Sequence, residues 1–108
     1  MASQSPLPRR LKEARLNKGI SQKELGVRAG IDEYSASPRM NQYENGVHAP
    51  DYQIVERIAK QLSIPSCYLY CVEEDVAALL IGYCQLSATE KKRLIKTLGQ
   101  DVAERVEN

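Results

Sequence analysis

The spacing of apolar and polar residues predicts a chain built entirely of short helices. Apolar residues recur every three or four positions along most of the sequence, and no stretch shows the strict alternation of a half-buried strand. Serine, aspartate and proline start signals and glycine stops divide this pattern. The sequence therefore predicts an all-α fold, with helices over residues 7–18, 21–29, 38–45, 51–62, 65–71, 73–85 and 87–98.

The stretch from Ser21 to Gly46 is the most informative part of the pattern. Ser21 and Glu24 have the spacing of a capping box at a helix start. Gly26 lies inside the helix that follows, where a small residue permits close approach of a neighbouring helix, and Gly30 can end that helix with a positive φ. Residues 32–36 are predicted to form a separate extra turn, because Ser37 and Pro38 supply a second start signal.

Gln22, Leu25, Gly26, Gly30 and the closing Tyr43-Glu44-x-Gly46 resemble the helix-turn-helix of the Cro/Xre phage-repressor-like family. The resemblance covers residues 7 to 71. It implies a five-helix repressor-like DNA-binding domain over residues 7–72, whose recognition helix, here 38–45, docks in the major groove of double-stranded DNA. Gly30 and Glu44 are 14 positions apart, about four more than is usual in that family.

Outward residues of the recognition helix are the candidates for base reading. Arg39 can donate two hydrogen bonds to guanine, and Gln42 can pair with adenine. The shorter candidates are Ser35, Ser37 and Asn41. Phosphate contacts are predicted for Ser21, Gln22, Asn45 and His48. The resemblance further implies a partly buried ion pair between Arg15 and Glu44, while Met40 and Tyr43 are predicted to face the core.

Residues 73–108 form a C-terminal helical extension of about two helices. Its apolar residues suggest a dimerisation element, since a single recognition helix reads few base pairs and such modules bind paired half-sites as homodimers. The predicted dimerisation residues are Val76, Leu79, Leu80, Tyr83, Leu94 and Leu98. The alternative is that both helices fold back on the two helices before them.

Composition and charge fit this picture without adding much to it. The chain is 43% hydrophobic and 27% charged, with a net charge of +1. Residues 1–50 hold eight basic and five acidic residues, and this excess of three suits an anionic partner. The longest apolar run, residues 76–81, is too short to span a bilayer. A soluble, cytoplasmic protein of bacterial or phage origin is expected.

No catalytic or metal-binding motif emerges from the sequence. Three cysteines and one histidine lack the spacing of a zinc site or a disulfide framework, so no metal, no cofactor and no enzymatic activity are predicted. Cys67 and Cys71 are predicted to pack together on one helix face, and the tyrosines at 34, 68, 70 and 83 to lie in the core or an interface. A non-DNA role for the same fold, as an antitoxin or protein-interaction module, is the alternative function.

Overall fold

The computed structural model describes residues 5–107, apart from the side chains of residues 102–104, 106 and 107. Every regular element in this part of the chain is helical, as predicted. Six α-helices and one short 3-10 helix, Ser66–Tyr70, make up the fold. The α-helices are α1 (Leu7–Lys18), α2 (Gln22–Arg28), α3 (Glu33–Glu44), α4 (Tyr52–Leu62), α5 (Glu74–Cys84) and α6 (Ala88–Glu107).

The helix starts and stops read from the sequence are largely confirmed. The Ser21 hydroxyl accepts a hydrogen bond from the Glu24 N–H (3.0 Å), and the Asp51 carboxylate accepts one from the Ile54 N–H (2.9 Å). Ser87 and Glu90 form both hydrogen bonds of a capping box at the start of α6. Gly19 ends α1 with a φ of +74°. Local side-chain chemistry therefore sets most of these boundaries.

The predicted start of the recognition helix was wrong. Residues 32–36 are not a separate turn, because α3 is one continuous helix that begins at Glu33. Asp32 is its cap, and its carboxylate accepts a hydrogen bond from the Tyr34 N–H (3.1 Å). Ser37 and Pro38 consequently lie in the middle of the helix, where Pro38 offers no N–H to the carbonyl of Tyr34. Both residues are exposed, so water can satisfy that carbonyl.

The predicted end of the last helix was also wrong. Gly99 does not stop the helix, since α6 continues to Glu107. The positive-φ glycines of the described chain are Gly19, Gly30 and Gly46, so Gly99 has not adopted the left-handed conformation of a helix cap. An isolated glycine within a helical pattern is tolerated at a cost of about 1 kcal/mol.

The core lies where α1, α2, α3, α4 and the 3-10 helix meet. Its most deeply buried side chains are apolar ones predicted from the helical periodicity, among them Leu11, Leu25, Met40, Val55, Ile58 and Leu69. Gly26 is where α2 and α3 approach most closely. A Cβ added there would lie 2.9 Å from Ala36 Cβ and 3.0 Å from Met40 Cγ. The close approach that the sequence suggested is therefore real, and Ala36 contributes to it.

The predicted packing of Cys67 beside Cys71 was wrong, and only part of the predicted tyrosine set lies in the core. Cys71 is buried, but Cys67 is exposed, because residues 66–70 form a tight 3-10 turn that separates them. Tyr68 is buried as expected, whereas Tyr34 is 91% exposed and Tyr70 is 50% exposed. Tyr34 projects from the first turn of α3, which the sequence did not identify as helix.

A buried arginine that the sequence did not single out joins α1 to the start of α5. The side chain of Arg10 is only 2% exposed, and its Nε donates to the carbonyl of Cys71 (2.8 Å). Its Nη2 lies 3.2 Å from Glu74 Oε1, and its Nη1 lies 3.3 Å from Glu13 Oε2. Burial lowers the pKa of Arg10, but the hydrogen bonds and charges of Glu74 and Glu13 outweigh it and raise that pKa overall.

The two C-terminal helices differ in how they relate to the core. α5 packs on the 3-10 helix through buried Ala77, with Leu80 and Ile81 partly buried against the core. α6 packs extensively on no other element of the described chain. The suggestion that both helices fold back is therefore correct for α5 and wrong for α6, which leaves the chain elongated (56 × 38 × 21 Å).

Candidate nucleic-acid interface

The connection between α2 and α3 sets their relative position. Gly30, at a φ of +91°, reverses the chain after α2, and the Ile31 N–H donates to the carbonyl of Gly26 (2.9 Å). The side chain of Ile31 is buried, so a backbone hydrogen bond and a buried side chain both hold this turn in place. Together with the close contact at Gly26, the turn holds α3 against α2 as a rigid pair of helices.

A buried ion pair fixes the C-terminal end of α3 to α1. Arg15 Nε donates to Glu44 Oε2 (2.6 Å) and Arg15 Nη2 donates to Glu44 Oε1 (3.0 Å). Arg15 Nη1 also donates to the carbonyl of Ile20 (3.0 Å). The hydrogen bond to Glu44 raises the pKa of Arg15 despite its burial. A planar guanidinium meets the carboxylate at two points, so the pair sets orientation as well as distance.

Gln22 extends this network from α2 to the outer face of α3. Its Nε2 donates to Glu44 Oε1 (3.2 Å) and to Asn41 Oδ1 (3.3 Å). This second hydrogen bond joins the exposed side chain of Asn41 on α3 to the half-buried side chain of Gln22 on α2.

The remaining predicted base-reading residues lie along the same helix with differing exposure. Ser37, Arg39 and Asn41 are exposed, while Ser35 and Gln42 are half-buried. The buried face of α3 consists of Ala36, Met40, Tyr43 and Glu44. At about 100° per residue, Gln42 points nearly opposite that face, whereas Arg39 lies on its flank.

An open depression of about 370 Å³ lies beside the exposed face of α3, between α1, α2 and α3. It brings together three predicted phosphate contacts, Ser21, Gln22 and Asn45, with Asn41 and the Arg15–Glu44 pair. Lys12 also lines it and was not predicted as a contact, although it lies one helical turn from Arg15 on α1. That spacing was the signal that could have identified it.

His48 lies apart from the other predicted phosphate contacts. It lines a separate depression of about 240 Å³ formed by the start of α1, the loop after α3 and Tyr70. The backbone N–H groups of Val47 and His48 both donate to the carbonyl of Gln42, at 2.9 and 3.4 Å. The loop therefore closes onto the end of α3 and places His48 beyond that end.

The predicted dimerisation residues divide into three groups. Val76, Leu79 and Leu98 are between 40% and 55% exposed, and Tyr83 and Leu94 are half-buried. Leu80 is packed against the core of its own chain. Ile95 on α6 is 56% exposed and was not among the predicted dimerisation residues.

Within residues 5–107, as far as the side chains are described, no three His, Cys, Asp or Glu residues cluster in a way that could hold a metal ion. None of the helices searched combines the length and apolar character needed to cross a membrane.

The buried network, the close α2–α3 contact and the all-helical core define a helix-turn-helix protein. The crystal structure of the transcriptional regulator BswR is similar to this chain, with a TM-score of 0.80 and 44% sequence identity. The match covers 86% of this chain and 92% of that one, and the chain belongs to the same family as BswR. A scan against protein-family models finds no match, and neither does a search of curated protein sequences.

Proposed function

We propose that this protein is a sequence-specific DNA-binding transcriptional regulator of the Cro/Xre type, which places α3 in the major groove. The observation that carries the proposal is the depression where Lys12, Ser21, Gln22 and Asn45 adjoin the exposed face of α3. Groups that can grip a phosphate thus lie next to groups that can read base edges. The similarity to BswR, itself a transcriptional regulator, supports the same conclusion. Such a protein acts in the cytoplasm of a bacterial or phage-infected cell.

Base reading falls to the polar residues of α3. Gln42 is directed outward and offers a donor and an acceptor to adenine, while Arg39 reaches guanine from the flank of the helix. Asn41 is exposed on α3 and accepts a hydrogen bond from Gln22. Each good bidentate contact discriminates against the wrong base by about 1–3 kcal/mol. Ser35 and Ser37 extend this set toward the helix start.

Phosphate contacts hold the reading helix in register. Lys12 supplies the charge, Ser21 and Gln22 supply polar groups at the start of α2, and Asn45 and His48 flank the end of α3. Each phosphate neutralised by a lysine releases counterions, so affinity should fall steeply with salt. Lys12→Gln should lower the slope of log affinity against log salt by about one per protomer.

The regulator is proposed to act as a homodimer, with residues 7–72 as DNA-binding domain and 73–108 as dimerisation extension. Val76 and Leu79 on α5 and Ile95 and Leu98 on α6 expose apolar side chains that a second copy would cover. Leu79→Glu combined with Ile95→Glu should convert a particle of twice 12.1 kDa to a monomer in light scattering. Leu16→Glu, at an equally exposed leucine on α1, is the matched control and should leave the dimer intact.

Selection of bound sequences from random duplex DNA tests the function itself. A regulator should enrich one motif of two half-sites, and Arg39→Ala or Gln42→Ala should lose selectivity at one defined base pair. Arg93→Ala removes the same charge from α6 and should bind like the parent protein. The absence of an enriched, salt-sensitive motif would favour an antitoxin or protein-interaction role. The carboxylates of Asp32 and Glu33 at the start of α3, which repel phosphates, are the feature that makes this rival worth testing.

A further inference from the structure

The first turn of α3 carries an exposed aromatic ring that the contacts proposed above do not use. Tyr34 is 91% exposed, more than any other large apolar side chain of the described chain. Its neighbour one turn later, Pro38, is exposed as well. Tyr34, Pro38, Asn41 and Asn45 are spaced i, i+4, i+7 and i+11, so they form one ridge along the outer side of α3.

This ridge is held rigidly at its leading end. The Asp32 carboxylate accepts a hydrogen bond from the backbone N–H of Tyr34, and Ala36, two residues further on, is fully buried against Gly26. The added turn, residues 33–36 at the start of α3, is therefore packed and capped, which fixes the backbone from which the ring projects. A tyrosine side chain has only two χ angles, so it loses little conformational entropy when it is covered.

The chemistry around the ring selects its partner. Asp32 and Glu33 directly precede Tyr34, and their negative charge makes contact between this turn and the phosphate backbone unfavourable. Recognition helices contact base edges through their N-terminal residues, and the apolar feature of the major groove is the C5-methyl group of thymine. Tyr34 precedes Asn41 by seven residues, which is about 10.5 Å along the helix, or about three base pairs at about 3.4 Å each.

We propose that Tyr34 and Pro38 form an apolar contact with a thymine methyl group, about two to three base pairs beyond the bases read by Asn41 and Gln42. The inference rests on the proposed function, since it needs α3 to lie in the major groove. It assigns to the added turn a direct role in specificity. The ring, and not the hydroxyl, makes the contact.

Replacing thymine by uracil in the selected operator tests the contact, because uracil lacks only the methyl group. In the full-length protein, uracil at one thymine of a single half-site should weaken binding about fourfold, the equivalent of about 0.8 kcal/mol for one buried carbon. Tyr34→Ala should bind more weakly and no longer distinguish thymine from uracil at that position. Tyr34→Phe should keep the distinction.

Tyr52→Ala is the matched control, because Tyr52 is also a highly exposed tyrosine (76%) in the first turn of a helix, α4. It should retain the full thymine preference. The inference is overturned if Tyr34→Ala keeps that preference, or if no thymine of the operator responds to uracil. Should random selection yield no operator at all, the proposed function fails as well, whereas an operator that responds to Gln42→Ala but not to Tyr34→Ala refutes this contact alone.

Discussion

Removing Glu44 should destabilise the protein far more than removing any exposed carboxylate. Its side chain is 3% exposed and accepts two hydrogen bonds from Arg15, whose own side chain is 11% exposed. Glu44→Ala leaves that guanidinium buried without a counter-charge and removes one of the two acceptors of the Gln22 amide. Breaking a buried pair in this way costs about 3–5 kcal/mol. Domains of this size are stable by about 5–15 kcal/mol, so the loss is a large fraction of the total.

Urea unfolding followed by circular dichroism measures this loss, and thermal unfolding should show a midpoint at least about 12 °C lower. Glu24→Ala is the matched control, because Glu24 pairs with Arg28 on the exposed side of α2. Glu24→Ala should lower the free energy of unfolding by less than about 1 kcal/mol. An equal effect of the two substitutions would refute the reasoning.

The double substitution Arg15→Met with Glu44→Leu separates the pair's net contribution from the cost of an orphaned charge. Because both charges are removed and the volume is kept, much of the stability lost in Glu44→Ala should return. Unfolding free energies of the single and double variants provide the cycle. A double variant less stable than Glu44→Ala would show that the pair itself, and not the unpaired guanidinium, governs the effect.

Three further predictions concern glycines and pH. Gly26→Ala should destabilise by about 1–3 kcal/mol in urea unfolding, because the new Cβ would lie 2.9 Å from Ala36 Cβ; unchanged stability would contradict the close packing. Gly99→Ala, with nothing within 4 Å, should instead increase helicity and stabilise α6 by about 0.5–1 kcal/mol, and a loss of helicity would contradict a continuous α6. Hydrogen bonds from Arg9 and then Arg10 lower the pKa of Glu74 below its ordinary value of 4.5. The contribution of ionised Glu74 to folding stability is therefore fully present above pH 4.5 and lost as the pH falls through the lowered pKa. The difference in unfolding free energy between the parent protein and Glu74→Gln should shrink over that pH range. A difference that grows as the pH falls would contradict this sign.

Most of the fold could be predicted from the sequence, since local signals determine it. Capping side chains at Ser21, Asp51 and Ser87 act within three residues, and the apolar periodicity of α1 and α4 is regular. The burial of Met40 and Tyr43 followed from the same periodicity. Such features need no knowledge of tertiary contacts.

Several of the missed features depend on contacts between distant residues. From the sequence alone Arg10 would be expected to be exposed, but it is buried with partners more than sixty positions away, at Cys71 and Glu74. The orientation of Asn41 depends on Gln22 from another helix. The sequence predicted that the recognition helix starts at Ser37 and Pro38, whereas α3 starts after Asp32. The buried contact between Ala36 and Gly26, which favours the longer helix, is not visible in the sequence.

α3 can be four residues longer while its buried and exposed faces keep their directions. Four residues advance the helix by about 400°, close to one full turn, so Ala36 falls on the same side as Met40. Deleting residues 33–36 should therefore leave a folded protein, with Asp32 capping a helix that begins at Ser37 and Pro38. Cooperative unfolding should persist at reduced stability, because Ala36 no longer covers Gly26. The selected operator should shorten by one to two base pairs at one end of each half-site, while the bases read by Gln42 stay the same. A loss of cooperative folding would show that the added turn is needed to form the core, and an unchanged operator would show that it does not reach the DNA.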